Sequence, residues 1–507
     1  MIKFTPRRHL TGGLRLPAHK AESTEAPIRK GPLPARLILS TRQHSGDEAR
    51  PVVSIGQRVA RGETLARASD SNGADVHAPA AGTVIAIEPQ AVPLGNAVST
   101  ESCIVLETNG TDTGSALPLP SITDQDRIEQ LTRAGIVGLG GAVYPTAAKT
   151  RLARTNSCEL LIINGAECEP YISCDDMLMR EAPAAIVAGA RILMNIVSAS
   201  RCIIAIERDK PQAIDAMTSA AEEAAIEGLS IAELPSIYPA GGERQLLDVL
   251  ATTELQSNRY PGELGYLCQN VGTARAVDKY FNHGEPLLSR IVTVTGNAVV
   301  NPGNIEALIG TPIRELIEAC GGYREKAVRL IHGGSMMGFS LEHDELPVTK
   351  STNCIIAATA YEVRSDAKEW PCIRCGECSI ACPARLLPQD LLLAARAQDN
   401  PLLETLSLAE CIECGCCDVV CPSHIPLTQT FRQAKPAFRR YREQKSFTDA
   451  ADARYQSRTS RRSEAQQEAE LQREALKQSL SSSKSEEIQA AVQRARARKT
   501  ASPKNDN

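Results

Sequence analysis

Two segments of this chain repeat one cysteine spacing, and no other feature limits its fold so strongly. CIRCGECSIACP fills 372–383 and CIECGCCDVVCP fills 411–422, each reading C-x-x-C-x-x-C-x-x-x-C-P. Thiolates are soft ligands suited to iron–sulfur clusters. Three cysteines two residues apart wrap one face of a four-iron cubane. The fourth, three residues further on and just before proline, serves the other cluster. The spacing therefore assigns Cys372, Cys375 and Cys378 to one [4Fe–4S] cluster with Cys421, and Cys411, Cys414 and Cys417 to a second with Cys382. A zinc ribbon would need two cysteine pairs across a longer loop, not triplets closed by C-P. Cys416 lies outside the pattern and reads as a small non-ligand residue. The 28 residues between Cys382 and Cys411 look helical, so this two-cluster ferredoxin-type domain should be more helical than a minimal one.

The rest of the chain must supply a reason for two clusters. At 507 residues it is too long for one core, and several domains are expected. Apolar residues at 42% and charged ones at 23% are globular values, and a net charge of −4 gives no reason to expect nucleic-acid binding. MIKFTPRRHL lacks the apolar core of a secretory signal, and no run approaches 18 apolar residues, so no transmembrane segment is expected. Seventeen cysteines in such a chain point to a reducing, cytosol-facing setting and to metal ligation rather than disulfides. The charge is uneven: residues 431–507 carry 18 basic and 10 acidic side chains, a net +8. That segment reads as a solvated helical tail, partly disordered, serving either solubility or docking.

Between the ends the pattern changes twice. Residues 30–110 show short alternating segments such as GTVIAIE, cut by Gly, Pro and Asn, and read as all-β. From Leu131 to Ser289, buried-type runs LLIIN (160–164) and CIIAIE (202–207) alternate with helical stretches such as APAAIVAGARILMNIV, which argues for an α/β layer. RIVTVTGNAVV from Arg290 opens a further β segment, followed by helical TPIRELIEACGG. Within the α/β layer, GIVGLGGAVYPTAAK (135–149) places Gly138, Gly140 and Gly141 before Lys149, a loop whose backbone can approach a phosphate and whose lysine adds a counter-charge. It is not a G-x-G-x-x-G dinucleotide fingerprint, because Val143 stands at the third glycine. His77 and His332 sit beside turn residues and are given no role. Cys158, Cys168 and Cys174 are irregularly spaced and read as small buried residues; HGGSMMG (332–338) reads as packing between the glycine-loop and cluster regions.

The glycine loop does not stand alone. IINGAECEPYISCDDMLM (162–179), YPAGGERQLL (238–247) and CQNVGTA (268–274) follow it. In that order these motifs resemble the flavin- and NADH-binding subunit of respiratory complex I over roughly 130–350. The resemblance implies that Gly138, Gly140 and Lys149 hold the phosphate of FMN. It implies that Asn164 and Glu167 lie by the flavin and nicotinamide rings, with Gly241, Glu243, Asn270 and Thr273 completing the pocket. Ala166 replaces a family aspartate and Gly242 a glutamate, which weakens the expected binding. VSIGQRVARGETLARASDSNGADVHAPAAGTVIAIE resembles a biotinyl/lipoyl-type barrel-sandwich. No lysine stands between Leu65 and His77, so a packing or docking role is expected there instead of a carried group. The β segment from Arg290 resembles a soluble-ligand-binding β-grasp domain.

The whole order is similar to the C component of the Rnf/Rsx ion-translocating electron-transport complex. The fold expected is multidomain α/β and α+β, with a barrel-sandwich domain at 1–125, an FMN/NADH-type α/β domain at 126–288, a β-grasp domain at 289–360, a two-cluster ferredoxin-type domain at 361–430 and the basic tail at 431–507. The resemblance implies a peripheral protein on the cytoplasmic side of a bacterial inner membrane, partnered by the membrane subunits of that complex. Electrons would pass between NADH/NAD and the two clusters through FMN, with no side chain acting as acid or base and ion pumping done elsewhere. The rival readings are the flavin subunit of a soluble complex-I-like hydrogenase or formate dehydrogenase, and a cluster-bearing scaffold with a decayed flavin pocket.

Overall fold

The computed structural model describes residues 10–70, 72–110, 127–251, 259–363 and 367–500. The expected boundary at 125/126, most of the N-terminal MIKFTPRRHL and the last seven residues of the basic tail lie outside them. The chain divides into two compact units at Arg432/Gln433.

The first unit opens with a barrel-sandwich. Its four-stranded sheet runs in the order Arg36–Ser40, Ala97–Thr108, Gly82–Leu94, Arg58–Val59, and a three-stranded sheet of Arg50–Pro51, Thr64–Arg67 and Val76–His77 accompanies it. The long antiparallel hairpin turns at Gly95, whose φ of 62° suits a residue without Cβ. Leu37, Leu39, Leu65, Val84, Ile104 and Leu106 are fully buried among its side chains.

The α/β domain holds a parallel sheet in the order Leu229–Leu234, Arg201–Glu207, Leu160–Gly165, Tyr266–Asn270. Its strands read as continuous apolar runs because both faces are covered. Leu161, Ile163, Cys202 and Ile204 enter the main core, while Leu160, Ile162, Ile203 and Tyr266 pack with Leu246, Leu247 and Leu250 of the helix Glu243–Leu250. The first three strands run outward from Leu160–Gly165, and Tyr266–Asn270 returns to its other side. The strand order therefore reverses between Leu160–Gly165 and Tyr266–Asn270. In open α/β sheets, ligands bind beyond the carboxyl ends of the strands at such a point.

The β-grasp sheet has the order Arg29–Lys30, Gly303–Leu308, Ser289–Thr295, Cys354–Ala358, Arg329–His332, Phe339–Leu341. The helix Ile313–Ala319 buries Ile313, Leu316 and Ile317 against it. One strand, Arg29–Lys30, comes from near the N-terminus and pairs with Gly303–Leu308, so this stretch also ties the N-terminal part to the β-grasp sheet. Lys350 shows the same joint from another side. Its buried ammonium donates to the carbonyls of Asp75 (3.0 Å) and Gly135 (2.8 Å). It thus reaches into the hairpin that lacks a lysine of its own and ties it to the start of the glycine loop.

Short helices Glu377–Ala381, Pro388–Arg396, Asn400–Thr405 and Cys416–Val419 build the cysteine-rich region. The second unit is helical, as expected. The tail is described as one helix, Leu427–Thr500, through to the last described residue. Ala, Arg, Glu, Gln and Lys are strong helix formers, and 433–500 holds no glycine and only Pro436 against the helix. No helix among the described residues is long and apolar enough to cross a membrane.

Candidate functional site

The glycine loop closes on itself and onto the switch point. Gly138 N donates to Tyr144 O (2.8 Å), and Leu139 N donates to the hydroxyl of Thr273 (2.9 Å). Thr273 donates in turn to Val137 O (3.3 Å). The Gly138 N–H is thus spent closing the loop, and the Leu139 N–H and the Thr273 hydroxyl hold it against the helix Val271–His283. The N–H groups of Gly140 and Gly141 make no hydrogen bond among the described residues. Val143, at the missing third glycine, has φ of 45°, a conformation costly for a β-branched residue.

Asn270 caps that helix: its Oδ1 accepts from Gly272 N (2.8 Å) and its Nδ2 donates to Asp175 (2.6 Å). Asn164, its register partner in the sheet, accepts from Ala166 N (3.0 Å) and donates to Gly241 O (2.9 Å). A Cβ on Gly241 would overlap the Ala166 carbonyl, so the backbones of the second and third motifs touch only because this residue is glycine. Glu167 is buried; it accepts from Asp175 N (2.8 Å) and from the thiol of Cys174 (3.5 Å), and the ammonium of Lys20 lies 3.8 Å away. Lys149 pairs with Glu243 at 2.8 Å. Burial works against its charge, yet the facing carboxylate, with Cys268 nearby, holds its pKa above the ordinary lysine value.

The structure therefore gathers the nine candidates into linked groups at the switch point: Gly138, Gly140, Thr273 and Asn270; Asn164 with Gly241; Lys149 with Glu243. Glu167 joins them through Asp175. A cavity beside Leu139, Asp175, Arg275 and Arg290 is lined by only one of the nine, Asn270. Sequence reasoning missed Asp175, whose carboxyl is pushed up by burial and by Glu167. It also missed Glu169, which accepts from Met336 N (2.9 Å) and Met337 N (2.8 Å) and so fastens HGGSMMG to the second motif. Both stand inside the second motif; Lys20 and Lys350, far away in the chain, carry no local signal.

The donor set suits a phosphate-bearing flavin: two free loop N–H groups, a lysine and a glycine-walled approach. The departures are equally physical. A Cβ at Gly242 would overlap the Gln245 side chain, so the family's glutamate would not fit without rearrangement there.

The two cysteine motifs repeat in backbone as in sequence. Arg374, Gly376 and Arg385 have φ of 56°, 83° and 56°; their counterparts Glu413, Gly415 and His424 have 57°, 78° and 50°. One cavity is lined by Cys372, Cys375, Cys378 and Cys421, together with Gln389 and Leu392. Another is lined by Cys382, Cys411, Cys414 and Cys417, together with Cys416, Thr428 and Phe431. Each cavity takes three cysteines from one motif and the fourth from the other. Such quartets of thiols in apolar surroundings suit iron–sulfur cubanes.

Fold and site together define a multidomain flavoprotein-type chain with a cysteine-rich helical domain attached. Residues 131–279 match the Nuo51 FMN-binding domain family, 8–111 the RnfC barrel sandwich hybrid domain and 291–340 the SLBB domain. Curated relatives named as the C component of an ion-translocating oxidoreductase complex include one from Pseudomonas aeruginosa, 42% identical over 454 residues and covering 89% of this chain and 58% of the relative. One from Haemophilus influenzae is 39% identical over 454 residues, covering 89% and 69%. The chain belongs to this RnfC family, and it spans less than two thirds of the length of the Pseudomonas relative. A crystal structure of an NAD+-reducing [NiFe]-hydrogenase in the H2-reduced state is similar with a TM-score of 0.45 at 21% identity, covering 62% of each chain.

Proposed function

We propose that this chain is the electron-transfer subunit of a membrane-bound ion-translocating oxidoreductase, passing electrons between NADH and two [4Fe–4S] clusters through FMN. In this reading it sits peripherally on the cytoplasmic face of the inner membrane, against the membrane subunits of its complex. The observation that carries the reading is the pair of four-cysteine cavities in a chain whose flavin-type motifs converge on a topological switch point.

FMN supplies the conversion between a two-electron hydride and one-electron carriers. The chain's residues bind and orient. Gly140 and Gly141 offer N–H groups and Lys149 a positive charge to the phosphate; Thr273 fixes the loop that presents them. Asn164 holds Gly241 close to the second motif, and Asn270, bonded to Asp175, caps the helix Val271–His283 where a flavin would be held. The quartets Cys372, Cys375, Cys378, Cys421 and Cys411, Cys414, Cys417, Cys382 hold the clusters. No side chain has to move a proton in these steps.

A second reading, a cluster-bearing scaffold with a decayed flavin pocket, draws on Ala166, on Gly242 and on the ion pair that occupies Lys149. Cofactor content separates the two. Protein purified without oxygen should release FMN on denaturation and carry the iron of two cubanes, about eight atoms per chain. Full iron without flavin would favour the scaffold, and iron for one cluster or none would defeat both.

A further inference from the structure

The stretch GGLRLPAHK (12–20) belongs to none of the four sheets, yet it is pinned at both ends. A Cβ on Gly12 would overlap the backbone of Cys382, and one on Gly13 the carbonyl of Tyr238. Gly13 N donates to Ala381 O (3.0 Å), and Leu14 exchanges two backbone hydrogen bonds with Tyr238 (2.8 and 2.9 Å). At the other end, Ala18 O accepts from Tyr171 N (2.9 Å), and the His19 ring stacks on that of Tyr171 with centroids 4.8 Å apart. His19 and Tyr171 have φ of 50° and 70°, strained for residues with a Cβ and kept only where the surroundings enforce them. The residue that this clamp delivers is Lys20.

The Lys20 side chain is 11% exposed and meets one residue twice: its ammonium donates to the backbone carbonyl of Glu167 and lies 3.8 Å from the Glu167 carboxylate. Just before Glu167, Ala166 donates its N–H to Asn164, and its carbonyl lies against Gly241. The Glu167 carboxylate accepts from Asp175 N (2.8 Å), and Asp175 accepts from Asn270 (2.6 Å), which stands beside Gly140. Lys20 thus heads a continuous set of contacts that ends at the loop with free N–H groups. Its charge also acts on Glu169, Glu207 and Asp209. Two other cations nearby are engaged elsewhere. Lys210 pairs with Glu207 (2.6 Å) and Asp209 (2.9 Å), and the Arg290 guanidinium donates to the carbonyls of Lys350 and Leu139.

Resting on the reading that FMN binds at this switch point, we infer that Lys20 is a positioning residue of the flavin site. It fixes Glu167, and it supplies the positive charge that offsets Glu167 and Asp175 when the bound flavin is reduced. A hydride carries two electrons and one proton, so a flavin that accepts it gains one negative charge while NADH leaves as NAD+. Nearby carboxylates oppose that gain and a nearby ammonium favours it. Lys20 therefore holds the flavin's potential up without touching the hydride.

The experiment uses the full chain, anaerobic and loaded with FMN, with Lys20→Met, Lys20→Gln and Lys20→Arg. The readouts are the flavin midpoint potential in a dye-mediated titration, FMN retention and iron content. The titration is run at pH 9, above the value of about 7 to which burial and Glu167 push the Asp175 carboxyl. Both neutral variants should keep their FMN and iron. Their equilibrium between reduced and oxidised flavin should shift tenfold or more toward the oxidised form, about 30 mV for a two-electron couple. Lys20→Arg, always charged, should recover most of that shift. Lys20→Gln retains a donor for the Glu167 carbonyl and keeps the test open should Lys20→Met misfold. An unaltered potential in a neutral variant would overturn the inference. So would a Lys20→Arg chain shifted as far as Lys20→Gln, because geometry and not charge would then be at work. A folded neutral variant that no longer holds oxidised FMN would also overturn it, making Lys20 a binding group. An unaltered chain that takes up no FMN would defeat the proposed function and this inference with it, whereas a flavin-loaded chain indifferent to Lys20 would defeat the inference alone.

Discussion

Lys149 and Glu243 face each other at the switch point, ammonium nitrogen 2.8 Å from carboxylate oxygen, with side chains 23% and 35% exposed. Each was expected to serve a bound ligand, and each is engaged by the other. A phosphate that takes Lys149 must displace this half-buried pair and compete with its carboxylate. Lys149→Ala should lower FMN retention, since a charge-assisted contact is worth about 1.5–3 kcal/mol, and should leave iron content unchanged. Glu243→Gln should raise FMN retention by removing the competitor. Equilibrium dialysis against FMN checks both; a Glu243→Gln chain that binds more weakly would make Glu243 a ligand rather than a rival.

Lys350 is buried at a joint of three domains, and burial pushes its pKa down to about 7, with Asp75 only partly opposing. An unfolded lysine titrates near about 10.4, so between those values the unfolded chain binds the extra proton and stability rises with pH. The limit is about 1.4 kcal/mol per pH unit. Below pH 7 the penalty for burying the charge is present in full. Lys350→Met removes this titration and leaves the carbonyls of Asp75 and Gly135 without their donor. The stability of the unaltered chain relative to Lys350→Met should therefore grow from pH 7 to pH 9 in urea unfolding. A difference flat with pH would mean that the folded chain keeps Lys350 protonated at an ordinary lysine pKa.

Crossed ligation makes a prediction that separate motifs do not. Cys382→Ala with Cys411→Ala places both changes on one quartet and should leave one intact cluster. Cys382→Ala with Cys372→Ala places them on two quartets and should spoil both. Iron counts and low-temperature EPR showing the reverse pattern would mean that each motif closes its own cluster.

The basic tail can be removed cleanly only beyond the residues that line a cysteine cavity, Thr428 and Phe431. Truncation from about 440 onward, which also retains the buried Phe438, should keep both clusters and NADH chemistry in solution. If the +8 segment docks, the truncated chain should be lost from membranes, and the advantage of the intact tail should fade as salt screens it. Equal membrane recovery with and without the tail at low salt would leave solubility as its role.

What could be read from the sequence was local. The cysteine triplets, the glycine loop and the buried-type strand runs are fixed by spacing within a dozen residues, and side-chain periodicity reports burial directly. The joints between domains were not legible, because each depends on residues far apart in the chain. Leu14 pairs with Tyr238, Arg29–Lys30 adds a strand beside Gly303–Leu308, and Lys350 reaches Asp75. Nor does a motif show which of its side chains will be consumed internally. Thr273, Asn270 and Glu167 all spend hydrogen-bonding capacity on the scaffold, and Lys149 is claimed by a residue 94 positions away. The tail was read as helical, and it is helical in the structure. Helix propensity without a single glycine favours the continuous helix observed.

An anaerobic NADH titration of the purified full chain, followed by absorbance and EPR together, tests the central claim most directly. The account predicts that NADH bleaches the flavin band and that reduced-cluster signals then appear in the same sample, with Lys149→Ala losing both responses in proportion to its lost FMN. A flavin-loaded, iron-replete chain whose flavin and clusters stay oxidised under excess NADH, yet reduce with dithionite, would contradict it.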